Sequence, residues 1–76
     1  MKAKYKHYGN DCIIYDQVIC EDNMVITVRT YSGWMGTEIA EPRTKICYTK
    51  DDAKEFFEEI CEEFEKEKYE CEYKED

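Results

Sequence analysis

The stretch Thr49–Tyr69, TKDDAKEFFEEICEEFEKEKY, decides the fold, because no other segment has such an unambiguous helical period. Its apolar residues recur at three- and four-residue steps, and they are Ala53, Phe56, Phe57, Ile60 and Phe64. Thr49 is a good N-cap, since its hydroxyl can accept a hydrogen bond from a backbone N–H of the first turn. No glycine or proline interrupts the run. The sequence therefore predicts an amphipathic α-helix whose apolar stripe packs on the rest of the chain.

The helix and the tail behind it carry the negative charge of the protein. The 76-residue chain has a net charge of −8; residues 51–76 hold thirteen acids and four bases, whereas residues 1–50 hold six acids and seven bases. This charge argues against direct binding of nucleic acid, because phosphate contacts need cations. It favours a protein partner with a basic surface, since opposite charges speed the encounter.

Segments with strand character fill the chain before the helix. They are Met1–Tyr8, Cys12–Cys20, Met24–Tyr31, Thr37–Glu41 and Thr44–Tyr48, with polar or glycine-containing turns between them and a break at Pro42. The expected fold is α+β, with a small antiparallel β-meander of three or four strands and one C-terminal amphipathic α-helix packed on one face (β-β-β(-β)-α).

Further expectations concern the boundaries and the buried face. Residues 1–76 are expected to form a single domain, with residues 1–8 as an edge strand or a loose arm and residues 70–76 as a frayed acidic tail. In the third segment Met24, Ile26 and Val28 lie on one side, and we expect this side to meet the helix.

The sequence offers little equipment for catalysis, and we expect no enzymatic activity, cofactor or metal. His7 is the only histidine, and nothing near it in sequence supplies a partner, although the fold could. The five cysteines form no C-x-x-C pair and no zinc-site spacing. Without an apolar leader after the first lysines, these thiols are expected to be free in a reducing cytoplasm.

Two surface features are candidate partner-binding sites. The first is the acidic helix face, for which the candidate residues are Glu55, Glu58, Glu59, Glu62 and Glu63. This face either keeps a small protein in solution or imitates the phosphates of a nucleic acid, since acids at helical steps stand about 5–6 Å apart.

The second is the glycine-bracketed loop Ser32–Gly36, which carries Trp34 and Met35. These two side chains either fold back into the core or form an exposed interface anchor, which Tyr31 and Arg29 on the preceding strand would extend.

In size, acidity and lack of catalytic groups, the chain is similar to small phage-encoded inhibitors of bacterial defence enzymes, such as anti-CRISPR proteins and DNA mimics. This resemblance implies an inhibitor that occupies a basic surface of a partner enzyme, and it assigns no residues. The alternative is a small structural homodimer or an accessory subunit, which would associate through the sheet face of Val25, Thr27 and Tyr31 or through the edge strand. An enzyme or small-ligand binder is the third class, and the short chain leaves little room for its pocket.

Overall fold

The computed structural model describes residues 1–75, which form one antiparallel sheet of six strands and one α-helix. In chain order the elements are β1 (Lys2–Gly9), β2 (Cys12–Glu21), β3 (Met24–Gly33), β4 (Gly36–Ile39), β5 (Arg43–Ile46), α1 (Lys50–Lys66) and β6 (Glu70–Glu75). The predicted α+β class and the amphipathic helix are confirmed. The predicted number of three or four strands is wrong, and the helix is not the last element, because a strand follows it.

The strands β1, β2 and β3 form the predicted meander through two tight turns. Asp11 and Asp22 occupy these turns with positive φ angles of 62° and 53°, a conformation that aspartate tolerates better than most residues. Along the sheet the order is β4-β3-β2-β1-β6, and β5 pairs with β3 as well. The strands β4 and β5 therefore lie end to end along the same side of β3.

Pro42 marks the break between β4 and β5, as the sequence predicts. The pairing with β3 moves from Thr30–Ile39 to Thr27–Arg43, so that three residues of the outer chain lie opposite two residues of β3. Proline cannot donate to the strand ladder, and an outer strand with one extra residue is where the sheet tolerates it. This edge of the sheet is consequently kinked.

The C-terminal segment contradicts the prediction of a frayed tail. Residues 70–75 form β6, which pairs with β1 from Lys2–Glu75 to Lys6–Glu70; the predicted tail's last residue, Asp76, lies outside the described residues. Between Tyr73 and Cys71 the register shifts by one residue, which leaves a β-bulge in β6. The strand β1 is therefore neither an edge strand nor a loose arm, because β2 and β6 flank it.

The two ends of α1 explain how the chain enters and leaves the helix. The hydroxyl of Thr49 accepts from the backbone N–H of Asp52 at 3.0 Å, so the predicted N-cap is formed. At the other end the N–H of Lys68 donates to the carbonyl of Glu65 and that of Tyr69 to the carbonyl of Phe64, at 3.0 and 3.1 Å. These bonds form a Schellman motif, with Lys68 at φ 63° in the position that glycine usually takes. The motif turns the chain directly into β6.

The core lies between α1 and one face of the sheet. Its buried apolar residues are Ala3 and Tyr5 from β1, Val18 and Cys20 from β2, Val25 from β3, and Ala53, Phe57 and Cys61 from α1. The expectation that Met24, Ile26 and Val28 meet the helix is wrong. Val25 is paired with the buried Cys20, and because neighbouring residues of a strand point to opposite faces, Met24 and Ile26 point away from the helix.

The sheet face opposite α1, called the open face below, is strongly apolar on the strands β2 to β5. By register and alternation its apolar residues there are Ile13, Tyr15, Ile19, Met24, Ile26, Val28, Ile39 and Ile46. Ile39 and Ile46 are 65 % and 73 % exposed. No helix or strand of residues 1–75 packs across this face, since the only helix lies on the other side.

Candidate partner-binding surfaces

The acidic surface of α1 divides into an outward row and two flanks. Glu55, Glu59 and Glu62 are exposed at helical steps on the side away from the sheet, and no salt bridge within residues 1–75 involves them. Glu63 is also exposed and lies 3.7 Å from the ammonium of Lys66. Such an exposed pair contributes little to stability. The outward row of Glu55, Glu59 and Glu62 is thus free to meet a cationic partner.

Glu58 differs from the other predicted glutamates, because it faces the sheet edge at β6. Its carboxylate accepts a hydrogen bond of 2.8 Å from the ammonium of Lys74, and Glu58 is only half-buried. This contact raises the pKa of Lys74 above its ordinary value. Glu58 therefore connects α1 to the last strand, and the structure separates it from the other four predicted glutamates.

Trp34 and Met35 form the tip of the hairpin between β3 and β4. The strands close on the Gly33–Gly36 pair, which leaves these two residues alone in the turn. Gly36 has a φ of 118°, a conformation that side chains rarely adopt. Trp34 is 85 % exposed and Met35 is 83 % exposed. Of the two alternatives for this loop, the structure has the exposed tip and not the core.

Arg29 and Tyr31 do not extend the tip surface, as the sequence suggests, but line a groove between α1 and the sheet. The groove has a volume of about 680 Å³. Its apolar wall is Ile60 and Phe64 of α1, and its rim is the kinked β4–β5 connection with Arg43. The groove exists because α1 covers only part of its sheet face and leaves the C-terminal half of β3 uncovered.

A buried carboxylate lies at the floor of this groove. Asp16 is 5 % exposed, and Arg29 binds it through two hydrogen bonds, Nε to Oδ1 at 2.7 Å and Nη2 to Oδ2 at 3.0 Å. His7 Nε2 lies 2.8 Å from the same Oδ2. The Asp16 carboxylate raises the pKa of Arg29 further above its ordinary value. A paired, bidentate carboxylate of this kind is typical of a buried ion pair that fixes neighbouring strands.

Sequence reasoning treated His7 as a lone histidine, and the fold supplies its partner. The first hairpin pairs His7 with Ile14, so that Asp16, two residues further on the same face, comes within reach. The other side of the imidazole is covered by Tyr69, whose ring stacks on it with centroids 3.7 Å apart and an interplanar angle of 2°. The turn signal at Gly9–Asp11 could have located this contact. A tight turn there sets His7 opposite Ile14, and Asp16 lies on the same face of the strand as Ile14.

The cysteines form no reactive cluster. All five are free thiols, and within residues 1–75 no group of three or more histidine, cysteine or acidic side chains is placed to hold a metal ion. Burial raises the pKa of the Cys61 thiol, as its place in an acidic helix also suggests. A thiol with a raised pKa is a poor nucleophile at neutral pH.

The helix α1 is neither long enough nor apolar enough to cross a membrane, and it is the only helix among residues 1–75. Comparisons of the chain with protein-family models, with curated proteins and with solved structures find no match.

Proposed function

We propose that this protein is a non-catalytic protein-binding module that presents the outward row of α1 to a basic surface of a partner protein. The observation that carries the proposal is the exposed row of Glu55, Glu59 and Glu62, which has no salt bridge within residues 1–75. The opposite side of α1 is anchored by Phe57 and Cys61 in the core. The carboxylates are thus held on a rigid element, which lowers the entropic cost of binding.

In its sharpest form, the proposal is an inhibitor that occupies a nucleic-acid-binding groove of an enzyme. Carboxylates on consecutive turns of a helix stand about 5–6 Å apart, and a basic groove that binds phosphates attracts such a row. The exposed side chains of Trp34 and Met35 are candidates for a second contact, because aromatic and methionine side chains are enriched in interfaces. The alternative of a homodimer or an accessory subunit was expected to use Val25, Thr27 and Tyr31, but these residues lie on the helix side of the sheet. The sheet surface that is left for this alternative is the open face.

The test compares two triple variants of equal net charge. The helix variant is Glu55→Gln, Glu59→Gln and Glu62→Gln; the control variant is Glu21→Gln, Glu38→Gln and Glu41→Gln in the turns and edge of the sheet. Each raises the net charge by three, so that a general effect of charge acts on both. Wild-type and variant proteins on beads are used to capture proteins from an extract of the source cells, with identification by mass spectrometry.

The proposal predicts proteins that wild type and the control variant retain and the helix variant loses. For a purified protein from this set, the helix variant is expected to weaken binding at least tenfold, and raising the salt concentration is expected to weaken binding by wild type. Equal retention by both variants, or equal loss from both, contradicts a specific role of the outward row.

A further inference from the structure

Both arginines of this protein line the groove between α1 and the sheet. Arg29 and Arg43 are the only arginines in the sequence, whose other cationic side chains are lysines. None of the lysines in residues 1–75 lines the groove. The planar guanidinium group of arginine binds a carboxylate through two parallel hydrogen bonds, which the ammonium group of lysine cannot do. The distribution of the two residue types therefore indicates a place where an oxyanion is recognised.

The sheet register places the two arginines beside each other. Arg43 of β5 pairs with Thr27 of β3, and Arg29 lies two residues beyond Thr27 on the same strand. Residues two apart on a strand share a face, so both arginine side chains lie on the helix side of the sheet. Diagonal cross-strand neighbours of this kind stand about 7–8 Å apart, which is within reach of long side chains. A single carboxylate can therefore contact both guanidinium groups.

The two arginines differ in what binds them. Asp16 accepts from Nε and Nη2 of Arg29, and these bonds fix the guanidinium plane while they leave Nη1 to another acceptor. His7 lies against the same carboxylate, so each oxygen of Asp16 has a partner. Arg43 is exposed, and no salt bridge within residues 1–75 involves it, although Glu41 shares the rim of the groove. The groove thus combines one pre-positioned arginine with one that has no anionic partner in the described chain.

The groove also has an apolar wall, formed by Ile60 and Phe64 of α1. Both belong to the apolar stripe of the helix, yet they are only half-buried, because the sheet beside them is not covered by α1. The volume of about 680 Å³ lies within the range of about 300–1,000 Å³ that is usual for ligand sites. The short chain therefore has more room for a ligand than its sequence suggests.

We propose that this groove binds a carboxylate carried on an apolar group. The carboxylate binds Arg43 and Nη1 of Arg29, and the apolar group packs against Ile60 and Phe64. The C-terminal residue of a peptide and a free aryl- or alkylcarboxylic acid share this chemistry. A polyphosphate fits less well, because Glu41 stands at the rim and the whole chain has a net charge of −8. The inference goes beyond the proposed function, since it uses neither the outward row of α1 nor the tip.

The test is a titration of isotope-labelled protein, followed by NMR spectroscopy of its backbone. The probes are 3-phenylpropionate and an acetylated tetrapeptide that ends in phenylalanine with a free carboxylate, each compared with its carboxamide. Both acids are expected to bind at millimolar concentration and to shift the resonances of Arg29, Tyr31 and Arg43. The carboxamides are expected to bind at least tenfold more weakly. Tighter binding of the peptide assigns the groove to a protein C-terminus, whereas equal or tighter binding of phenylpropionate assigns it to a small carboxylic acid.

Variants show whether the arginine fork is responsible. Arg43→Gln is expected to weaken binding of both acids at least tenfold, and Arg43→Lys, which keeps the charge without the fork, at least threefold. Lys45→Gln is the matched control, since it removes the same charge from the same strand at a side chain that lies over the ring of Phe56 outside the groove. It is expected to change binding by less than twofold. Glu41→Gln is expected to strengthen binding about twofold, because it removes a like charge from the rim.

Four results would overturn the inference. They are the absence of binding by either acid, equal binding of acid and carboxamide, equal losses from Arg43→Gln and Lys45→Gln, and binding of acetate or inorganic phosphate as tight as that of phenylpropionate. The last result would show that the apolar wall takes no part. Circular dichroism checks the fold of each variant. If Arg43→Gln does not fold, Arg43→Lys and the pairs of acid and carboxamide decide.

Discussion

At the scale of single residues, the polar groups under α1 show how this small domain balances burial against charge. Asp16 is buried beside the helix, yet Arg29 and His7 occupy both of its oxygens. Tyr5 is fully buried, and its hydroxyl has no hydrogen-bond partner within residues 1–75. Leaving such a group unpaired costs about 1–3 kcal/mol. The buried phenol is therefore a weak point in an otherwise satisfied core.

The buried phenol and thiol predict a loss of stability at alkaline pH. Burial raises the pKa of Tyr5 above its ordinary value of 10.0 and that of Cys61 above 9.0. The folded chain therefore holds both protons more firmly than the unfolded chain. This contribution to stability is fully present below the unfolded-state pKa values. It is lost as the pH rises from there toward the folded-state pKa values, by up to about 1.4 kcal/mol per pH unit for each group, and no further once the folded-state pKa of that group is passed.

We expect the urea midpoint of unfolding to fall between pH 8 and pH 10.5. Tyr5→Phe is the control: it is expected to be no less stable at pH 7, because the removed hydroxyl has no partner within residues 1–75, and to fall less steeply above pH 10. A wild-type midpoint that stays constant or rises up to pH 10.5 would refute this explanation.

At the scale of elements, the C-terminal end of α1 determines that the chain returns as β6. The Schellman motif places Lys68 at a φ of 63°, where a side chain is strained, and it brings Tyr69 back against Phe64, with ring centroids 5.6 Å apart. A hydrophobic contact of this kind accompanies many such motifs. The aromatic pair therefore holds a turn that the backbone of lysine disfavours.

The strain at this turn predicts a stabilising substitution. Lys68→Gly is expected to raise the free energy of unfolding by about 1 kcal/mol, because glycine adopts positive φ without steric cost. Lys66→Gly removes the same charge inside α1 and is expected to lower it by up to about 1 kcal/mol. Urea denaturation at pH 7 measures both. A Lys68→Gly variant that is less stable than wild type would show that the turn does not have this conformation.

The sequence predicted most elements, but it missed the last strand and the sheet face that the helix covers. The helix period, the Thr49 cap, the two aspartate turns and the break at Pro42 are local signals, and all four are found in the structure. The strand β6 was not predicted, because the Schellman motif that ends α1 before it has Lys68 in the position where glycine is usual. The covered face was assigned wrongly because alternation tells which residues share a face, while the choice of the face that meets the helix depends on tertiary packing.

The candidate sites, too, could be predicted where local signals suffice and not where tertiary packing decides. Exposure of the glutamates on α1 could be predicted from the helical period alone. The separation of Glu58 from the others could not, since it depends on Lys74 in the strand that the sequence did not predict. In the same way Arg29 and Tyr31 were expected beside Trp34. They lie instead in the groove with Asp16, because their side chains are on the face of β3 that α1 partly covers.

At the scale of the whole molecule, the two outer faces have different chemistry. One is the carboxylate surface of α1, and the other is the apolar open face with its row of lysines. The core between them contains eight buried apolar residues, which is little for a domain of this size.

The most direct test of this division is a map of backbone amide shifts by NMR spectroscopy, recorded while a partner protein purified by the capture experiment is added. We predict that the largest changes fall on Glu55, Glu59 and Glu62, with the amides of Ile13, Ile26 and Ile46 unaffected. Changes confined to the open face, with the outward row of α1 unperturbed, would contradict the account.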